Sequence, residues 1–322
     1  MEKLQINLLS CGHRSYRFPF TKKSVEELLK IKNKDKIILS IHGENSTIQL
    51  WKDYFKYVQV PFIIKLYEYK NSNYLDRVQN SHETDCPYSC KLDDDVLVPC
   101  HVWDYMIENL DKIGDEHPII SPILTNGIPS VDFFIKDFLN EEEKIHAYQL
   151  FLNQRVPINL WGLDYSSIND KLSTMTSWDD YEYWKFVFKA DTKWEKNQVP
   201  WHYFNVRGVH PARFSYEYNI FIANCIFKNK AKFFEKNNYY FDTYSAPYFT
   251  NNTFISKTKY WRDTLPLFDD GWDEGQLSLR LRMDNKSILY VRNGFGIHMA
   301  YGMTENWKAI EDYYIKGINT HE

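Results

Sequence analysis

Residues 88–99 read Tyr-Ser-Cys-Lys-Leu-Asp-Asp-Asp-Val-Leu-Val-Pro, with Asp93, Asp94 and Asp95 set between two apolar stretches. Neighbouring ionised carboxylates repel one another and lose solvation beside a sheet, so folding stability alone does not favour such a run. A divalent cation removes the penalty, because hard cations take carboxylate oxygens as ligands. Carboxylates that hold a metal against phosphate oxygens at the C-terminal end of a strand point to nucleotide-sugar chemistry. The plain alternative is a solvated acidic turn.

Other reactive residue types are spread along the chain. Asp273 and Glu274 follow Trp272, and His298 follows an apolar strand-like stretch. A carboxylate there is either a general base or an acid at a helix N-terminus, favoured by the dipole. A histidine after an apolar strand is either a ligand or a hydrogen-bonded core residue. Arg14 and Arg77 are either phosphate partners or surface charges. The five cysteines include Cys86, Cys90 and Cys100, the last next to His101, but their spacing fits no common zinc pattern. An odd number of cysteines with no secretory signal reads as reduced thiols in a cytoplasmic setting.

These residues need elements to hold them. Leu4–Ser10 reads as a strand, with Cys11-Gly-His-Arg14 as the loop beyond it. Ser24 and Glu27 have capping-box spacing before a helix whose apolar face carries Val25, Leu28 and Leu29. A second strand over 36–41 leads into His42-Gly-Glu44-Asn45, and a third covers 60–66. Residues 73–83 read as helix, 88–92 as the fourth strand, 101–110 as helix, and Ile119-Ile120 opens a fifth strand. Strand and helix in alternation imply a mostly parallel sheet with helices on both faces, and ligands bind beyond the carboxyl ends of its strands. The loops at 11–14, 42–45 and 93–95 share that edge.

The rhythm is lost between about 129 and 236, where short helical pieces such as 141–152 follow an Asn140/Glu143 cap signal. Aromatic residues make up 17% of the chain, enough to fill a core and to leave rings for stacking on sugars or bases. A net charge of −4 argues against a global field for nucleic acid or anionic membrane, although Lys228–Lys236 could form a local one. No stretch approaches the roughly 18 apolar residues of a spanning helix, so no membrane insertion is expected.

Three pieces in order resemble the GT-A-fold glycosyltransferases of the large inverting family that includes cellulose- and chondroitin-type synthases. They are the strand-loop-helix from Ile6 to Leu29, Lys91-Leu-Asp93-Asp94-Asp95 as a DxD motif, and Asp273-Glu274-Gly-Gln-Leu-Ser-Leu-Arg280-Leu-Arg282 as the family's acidic pair with its Leu-x-x-Arg helix. A strand and His298 follow, as the family often has. The resemblance covers roughly 4–125 and 245–302. It implies an α/β, Rossmann-like GT-A mixed sheet, mostly parallel and flanked by helices, with a large aromatic-rich insertion in the middle. Residues 1–125 would form the nucleotide-sugar half, 126–245 an acceptor-selecting insertion, and 246–322 the half that closes the domain. Leu277, Leu279, Leu281 and Met283 alternate with polar residues, which argues strand, but composition and the resemblance favour helix.

The same resemblance implies a metal-dependent transfer of sugar from a nucleoside diphosphate, a UDP-sugar foremost, to an acceptor hydroxyl. Asp95 would hold Mn²⁺ or Mg²⁺. Asp93 would touch the ribose or a metal-bound water, and His298 would be a third ligand. Asp94 would point the other way by strand alternation. Arg14, Arg77 and Glu44 fall where relatives bind the donor, and Glu44 lies where the family places a base-contacting Asp. Glu274 sits in the position of the general base, with Asp273 as runner-up, and Trp272 beside them could stack on the acceptor. The order Asp-Glu reverses the family's Glu-Asp, and the Gln-x-x-Arg-Trp motif of processive members is absent, which implies single additions by a soluble enzyme. The acceptor would be a glycan or, in a phage, a hydroxymethylated DNA base. A sugar-phosphate nucleotidyltransferase would need a glycine-rich loop where Ser10–Arg14 has one glycine. A glycan-binding protein without turnover is the non-enzymatic alternative.

Overall fold

The computed structural model describes residues 3–70, 78, 81, 84–126, 130–152, 215–244, 252–264, 273–299 and 306–319. The expected Arg77 lies outside them, as does nearly all of the helix expected over 73–83. The strands are β1 (Leu4–Ser10), β2 (Ile37–Gly43), β3 (Ile63–Glu68), β4 (Tyr88–Asp93), β5 (Val96–Leu97), β6 (Ile119–Leu124), β7 (Tyr240–Tyr244), β8 (Thr253–Lys257) and β9 (Ile288–His298). They form one mixed sheet in the order β3-β2-β1-β4-β8-β6-β9-β5, with β7 also on β9. The β3-β2-β1-β4 half is parallel throughout, β8 joins it to β6 by antiparallel pairing on both sides, and β6 and β9 run parallel. The α/β expectation of a mixed sheet flanked by helices holds.

Two cores cover the sheet. Leu4, Ile6, Leu8, Leu39, Ile41 and Leu92 pack with helices α1 (Phe18–Lys30), α2 (Asn45–Phe55) and α3 (Cys100–Glu108). Phe254, Tyr290 and Phe295 pack with α4 (Ser130–Phe138), α6 (Tyr216–Lys228), α7 (Lys230–Phe234), α8 (Thr258–Thr264), α9 (Asp273–Met283) and α10 (Trp307–Asn319). Helix α5 (Glu141–Leu152) starts in the expected way: Asn140 N donates to Glu143 Oε2 at 3.0 Å and Glu143 N to Asn140 Oδ1 at 2.9 Å. Helix also wins at 273–283, where Leu277 and Leu281 are buried one turn apart while Met283 is 67% exposed.

Helix α1 corrects the expected start. It begins at Phe18, with Pro19 in its first turn, and Ser24 is buried within it. Proline suits that position because its missing N–H is one the helix leaves unpaired anyway. Glu27 is not a cap for its own helix. Its Oε2 accepts from Cys100 N at 2.9 Å, satisfying the start of α3, while Asp104 of α3 accepts from Lys32 N at 2.7 Å. Two carboxylates thus tie α1 and α3 end to end. The third strand is shifted from 60–66 to 63–68, and the second continues to Gly43 at the edge of the sheet. A Cβ on Gly43 would lie 2.7 Å from Ser10 O and 2.5 Å from Thr47 Oγ1, so only glycine lets β2 pass β1 there.

One face of the parallel half is polar although buried. Ser40, Asn7 and Lys91 lie side by side on β2, β1 and β4. Asn7 Nδ2 donates to Ser89 Oγ at 3.0 Å, and Gln5 Nε2 to Asn7 Oδ1 at 2.8 Å. Partners of this kind keep most buried polar groups satisfied, whereas Ser40 Oγ in the same strip has none. This strip runs up to the edge where the acidic residues sit.

Candidate metal and donor site

β4 ends at Asp93, the chain turns at 94–95, and β5 starts at Val96. Because of the turn, strand alternation does not carry on past Asp93, and Asp94 does not face away. Asp94 and Asp95 converge on Arg17, whose Nη1 donates to Asp94 Oδ1 at 2.8 Å and to Asp95 Oδ2 at 3.0 Å. Asp94 Oδ2 also accepts from Cys11 N at 3.0 Å, and Thr21 Oγ1 donates to Asp94 O at 2.7 Å. Both oxygens of Asp94 are therefore engaged within the fold.

Asp95 differs. Its Oδ1 is buried and has no hydrogen-bond partner. A buried carboxylate oxygen without a partner is costly, and a hard cation is the group that relieves it. Burial would raise this carboxyl, but Arg17 and then His298 outweigh it and hold Asp95 well below the usual carboxylate range. The anion is thus available as a ligand.

His298 closes β9 opposite the turn. Val96 pairs with His298 in the β5–β9 ladder, and Met299 N donates to Asp95 O at 3.0 Å. His298 Nδ1 lies 3.0 Å from Asn126 O, and Nε2 lies 3.6 Å from Asp95 Oδ2. A carbonyl can only accept, so Nδ1 carries the proton. In the charged ring Nε2–H faces Asp95, and a metal between the two would take the place of that proton, with Nδ1 held by its second partner as in many ligating histidines. Asp95 and His298 therefore fit a divalent cation. Among the described residues no three His, Cys, Asp or Glu side chains form a cation shell by themselves. Mg²⁺ and Mn²⁺ sites commonly draw their remaining ligands from water and phosphate.

Asp93 faces another set of partners. Its Oδ2 is 3.2 Å from Lys91 Nζ and 3.3 Å from Asn252 Nδ2. Lys91 Nζ also lies 3.1 Å from Asp273 Oδ2 at the start of α9. Burial pushes the Asp93 carboxyl up to about 7, against Lys91 and with help from Asp95, Asp273 and Asp94.

The remaining expected residues are placed as follows. Arg14 lies half-buried in the short helical turn after β1, close enough to favour the ionised form of Asp95 and to oppose the upward shift that burial gives Asp94. Glu44 is the N-cap residue of α2 at the end of β2, with Thr47 Oγ1 donating to its carbonyl at 2.9 Å. Glu274 is the second residue of α9, next to the buried Asp273. Beside Glu44, His42 stacks on Tyr67 with ring centroids 4.7 Å apart, and its Nδ1 is 2.9 Å from Tyr69 Oη. Sequence reasoning overlooked Lys91, Arg17, Asn252 and Glu311. Lys91 had a signal, a lysine in the middle of a strand otherwise built for burial.

Helices long and apolar enough to cross a membrane are absent among the described residues. No protein-family description matches the chain, and no curated protein aligns with it. Solved structures with a related chain path include GalNAc-T7 with UDP, GalNAc and Mn²⁺, at a TM-score of 0.46 and 9% identity over 95% of this chain and 45% of that one. The mannosyltransferase PcManGT from Pyrobaculum calidifontis, with GDP-Man and Mn²⁺, gives 0.45 and 8% over 100% and 65%. The apo-form glycosyltransferase GlyE of Streptococcus pneumoniae gives 0.28 and 8% over 37% and 29%. This chain spans less than two thirds of the length of each.

Proposed function

We propose that this chain is a metal-dependent glycosyltransferase that moves a sugar from a nucleoside diphosphate to an acceptor hydroxyl, inverting and adding one sugar at a time. The observation that carries the reading is the buried, unpartnered Oδ1 of Asp95. It lies beside a histidine whose Nδ1 proton is committed elsewhere, at the carboxyl edge where α/β sheets bind ligands. Mn²⁺ or Mg²⁺ would be held by Asp95 and His298, and when bound would supply charge neutralisation at the departing diphosphate.

The chain's own residues do the rest. Arg14 and Arg77 pair with the diphosphate, Asp93 binds the ribose, and Glu44 lies toward the base of the donor, a UDP-sugar. Glu274 takes the proton of the acceptor hydroxyl as its oxygen attacks the anomeric carbon. The bond from that carbon to the diphosphate oxygen breaks, and its electron pair leaves with the diphosphate. Asp273 is tied to Lys91, which favours its neighbour for this role. Residues 1–125 serve the donor, 126–245 select a glycan or a hydroxymethylated DNA base, and 246–322 complete the domain in a cytoplasmic enzyme.

Incubation with UDP- and GDP-sugars in Mn²⁺, Mg²⁺ or EDTA tests this reading. The expected result is nucleoside diphosphate release from one donor, abolished by EDTA. A donor present at about 100 times its dissociation constant also stabilises the fold by about 2.7 kcal/mol. The absence of both release and thermal stabilisation with every donor plus Mn²⁺ would reject the reading.

A further inference from the structure

We propose that Glu311, on the C-terminal helix α10, is a positioning residue for the divalent-cation site and acts on it through Arg17. The inference rests on the metal reading above and deepens it by naming what sets the charge of the site. Arg17 is 2% exposed and stands at a junction. Nη1 serves Asp94 and Asp95, Nε donates to Glu311 Oε2 at 3.0 Å, and Nη2 donates to Glu311 Oε1. Glu311 is fully buried and also accepts from Tyr16 Oη at 2.8 Å.

One guanidinium therefore contacts three carboxylates, and Arg14 is a further cation acting on both aspartates, so the carboxylates outnumber the arginines around the turn. A buried excess of carboxylate is unfavourable without a counter-charge, which a divalent cation would supply. Glu311 also shapes the ligand. Its two oxygens occupy Nε and Nη2 as a bidentate pair, so Nη1 alone is left for the aspartates. With Gln in place of Glu311, the guanidinium loses one of its anionic partners and pairs more strongly with the carboxylates that remain, Asp95 among them. The local potential becomes less negative at the same time. Both changes weaken cation binding.

Helix α10 is held at a fixed depth. Ile310 and Tyr314 are buried on either side of Glu311, and a Cβ on Gly317 would lie 2.2 Å from the Phe227 ring of α6. The carboxylate thus meets Arg17 in one place.

The test is a Mn²⁺ titration of the full chain without nucleotide, followed by electron paramagnetic resonance of free Mn²⁺, with thermal unfolding as a check of fold. Wild type is expected to bind one Mn²⁺. Glu311→Gln, which keeps shape and removes charge, is expected to bind about tenfold more weakly. Glu311→Asp, which keeps the charge but shortens the reach, is expected to fall between the two. A folded Glu311→Gln with wild-type affinity overturns the proposal and leaves the metal reading standing. If Glu311→Gln does not fold, Glu311→Asp decides, and wild-type affinity there overturns it. A wild-type chain that takes up no Mn²⁺ overturns both the metal reading and this inference.

Discussion

Lys91 of β4 and Asp273 of α9 meet with Nζ 3.1 Å from Oδ2, each side chain 2% exposed. The contact ties the strand that carries the aspartates to the helix that carries Glu274. Lys91 is also the cation shared with Asp93. Replacing Lys91 with Met leaves two carboxylates without their counter-charge, and removing one partner of a buried ion pair costs about 3–5 kcal/mol. Urea unfolding at pH 7 measures this. A loss below about 1 kcal/mol would show that the site does not depend on the bridge.

Asp94 and Asp95 stand next to each other but differ in engagement, which separates their variants. Asp95→Asn removes the carboxylate with the unpartnered oxygen, and Mn²⁺-dependent donor turnover is expected to fall on the order of 10²–10³-fold. Asp94→Asn alters a side chain already spent on Arg17 and Cys11 N, so beside its effect in unfolding it is expected to weaken Mn²⁺ only about tenfold, through the charge it withdraws from Arg17. Parallel metal titrations of turnover settle the contrast. Equal losses of Mn²⁺ dependence would contradict the assignment.

Glu274→Gln keeps volume and removes the proposed proton acceptor. Loss of a general base lowers turnover about 10²–10⁴-fold, while Mn²⁺ and nucleotide binding remain. Rapid-quench turnover alongside calorimetric binding distinguishes a base from a binding group, because undiminished turnover excludes the former.

His42 makes stability depend on acid. Burial pushes its imidazole down to about 3, against about 6.5 in an unfolded chain. The native ring stays neutral while the unfolded ring takes a proton below about 6.5. Stability from this source is therefore full above about 6.5 and declines as pH falls toward 3, by about 1.4 kcal/mol per pH unit. Urea midpoints at pH 7 and pH 5 should differ less in His42→Phe than in wild type. Identical pH dependence in the two proteins would refute the assignment.

The frame of the sheet is legible in sequence because its signals are local. Leu4–Ser10, Tyr88–Asp93 and the Asn140/Glu143 cap carry their patterns within a few residues. The start of α1 is not, because Ser24 and Glu27 have the letters of a cap while Glu27 serves Cys100 N, 73 residues away. Asp93 and Asp95 stand out as reactive types, but their different environments come from the turn after β4 and cannot be read from three identical letters. Arg17 and Glu311 are 294 residues apart and leave no periodic trace. Close contact between distant parts of a chain is a property of packing, which short windows do not record.

The β5–β9 ladder has one more consequence. Main-chain pairing of Val96 with His298, and of Met299 N with Asp95 O, fixes how far apart positions 95 and 298 lie. Their spacing is therefore inherited from backbone geometry, and side-chain chemistry at either end can be exchanged on an unchanged scaffold. If the proposed cation binds there, its selectivity would change by single substitutions at 95 or 298, with the surrounding architecture left as it is.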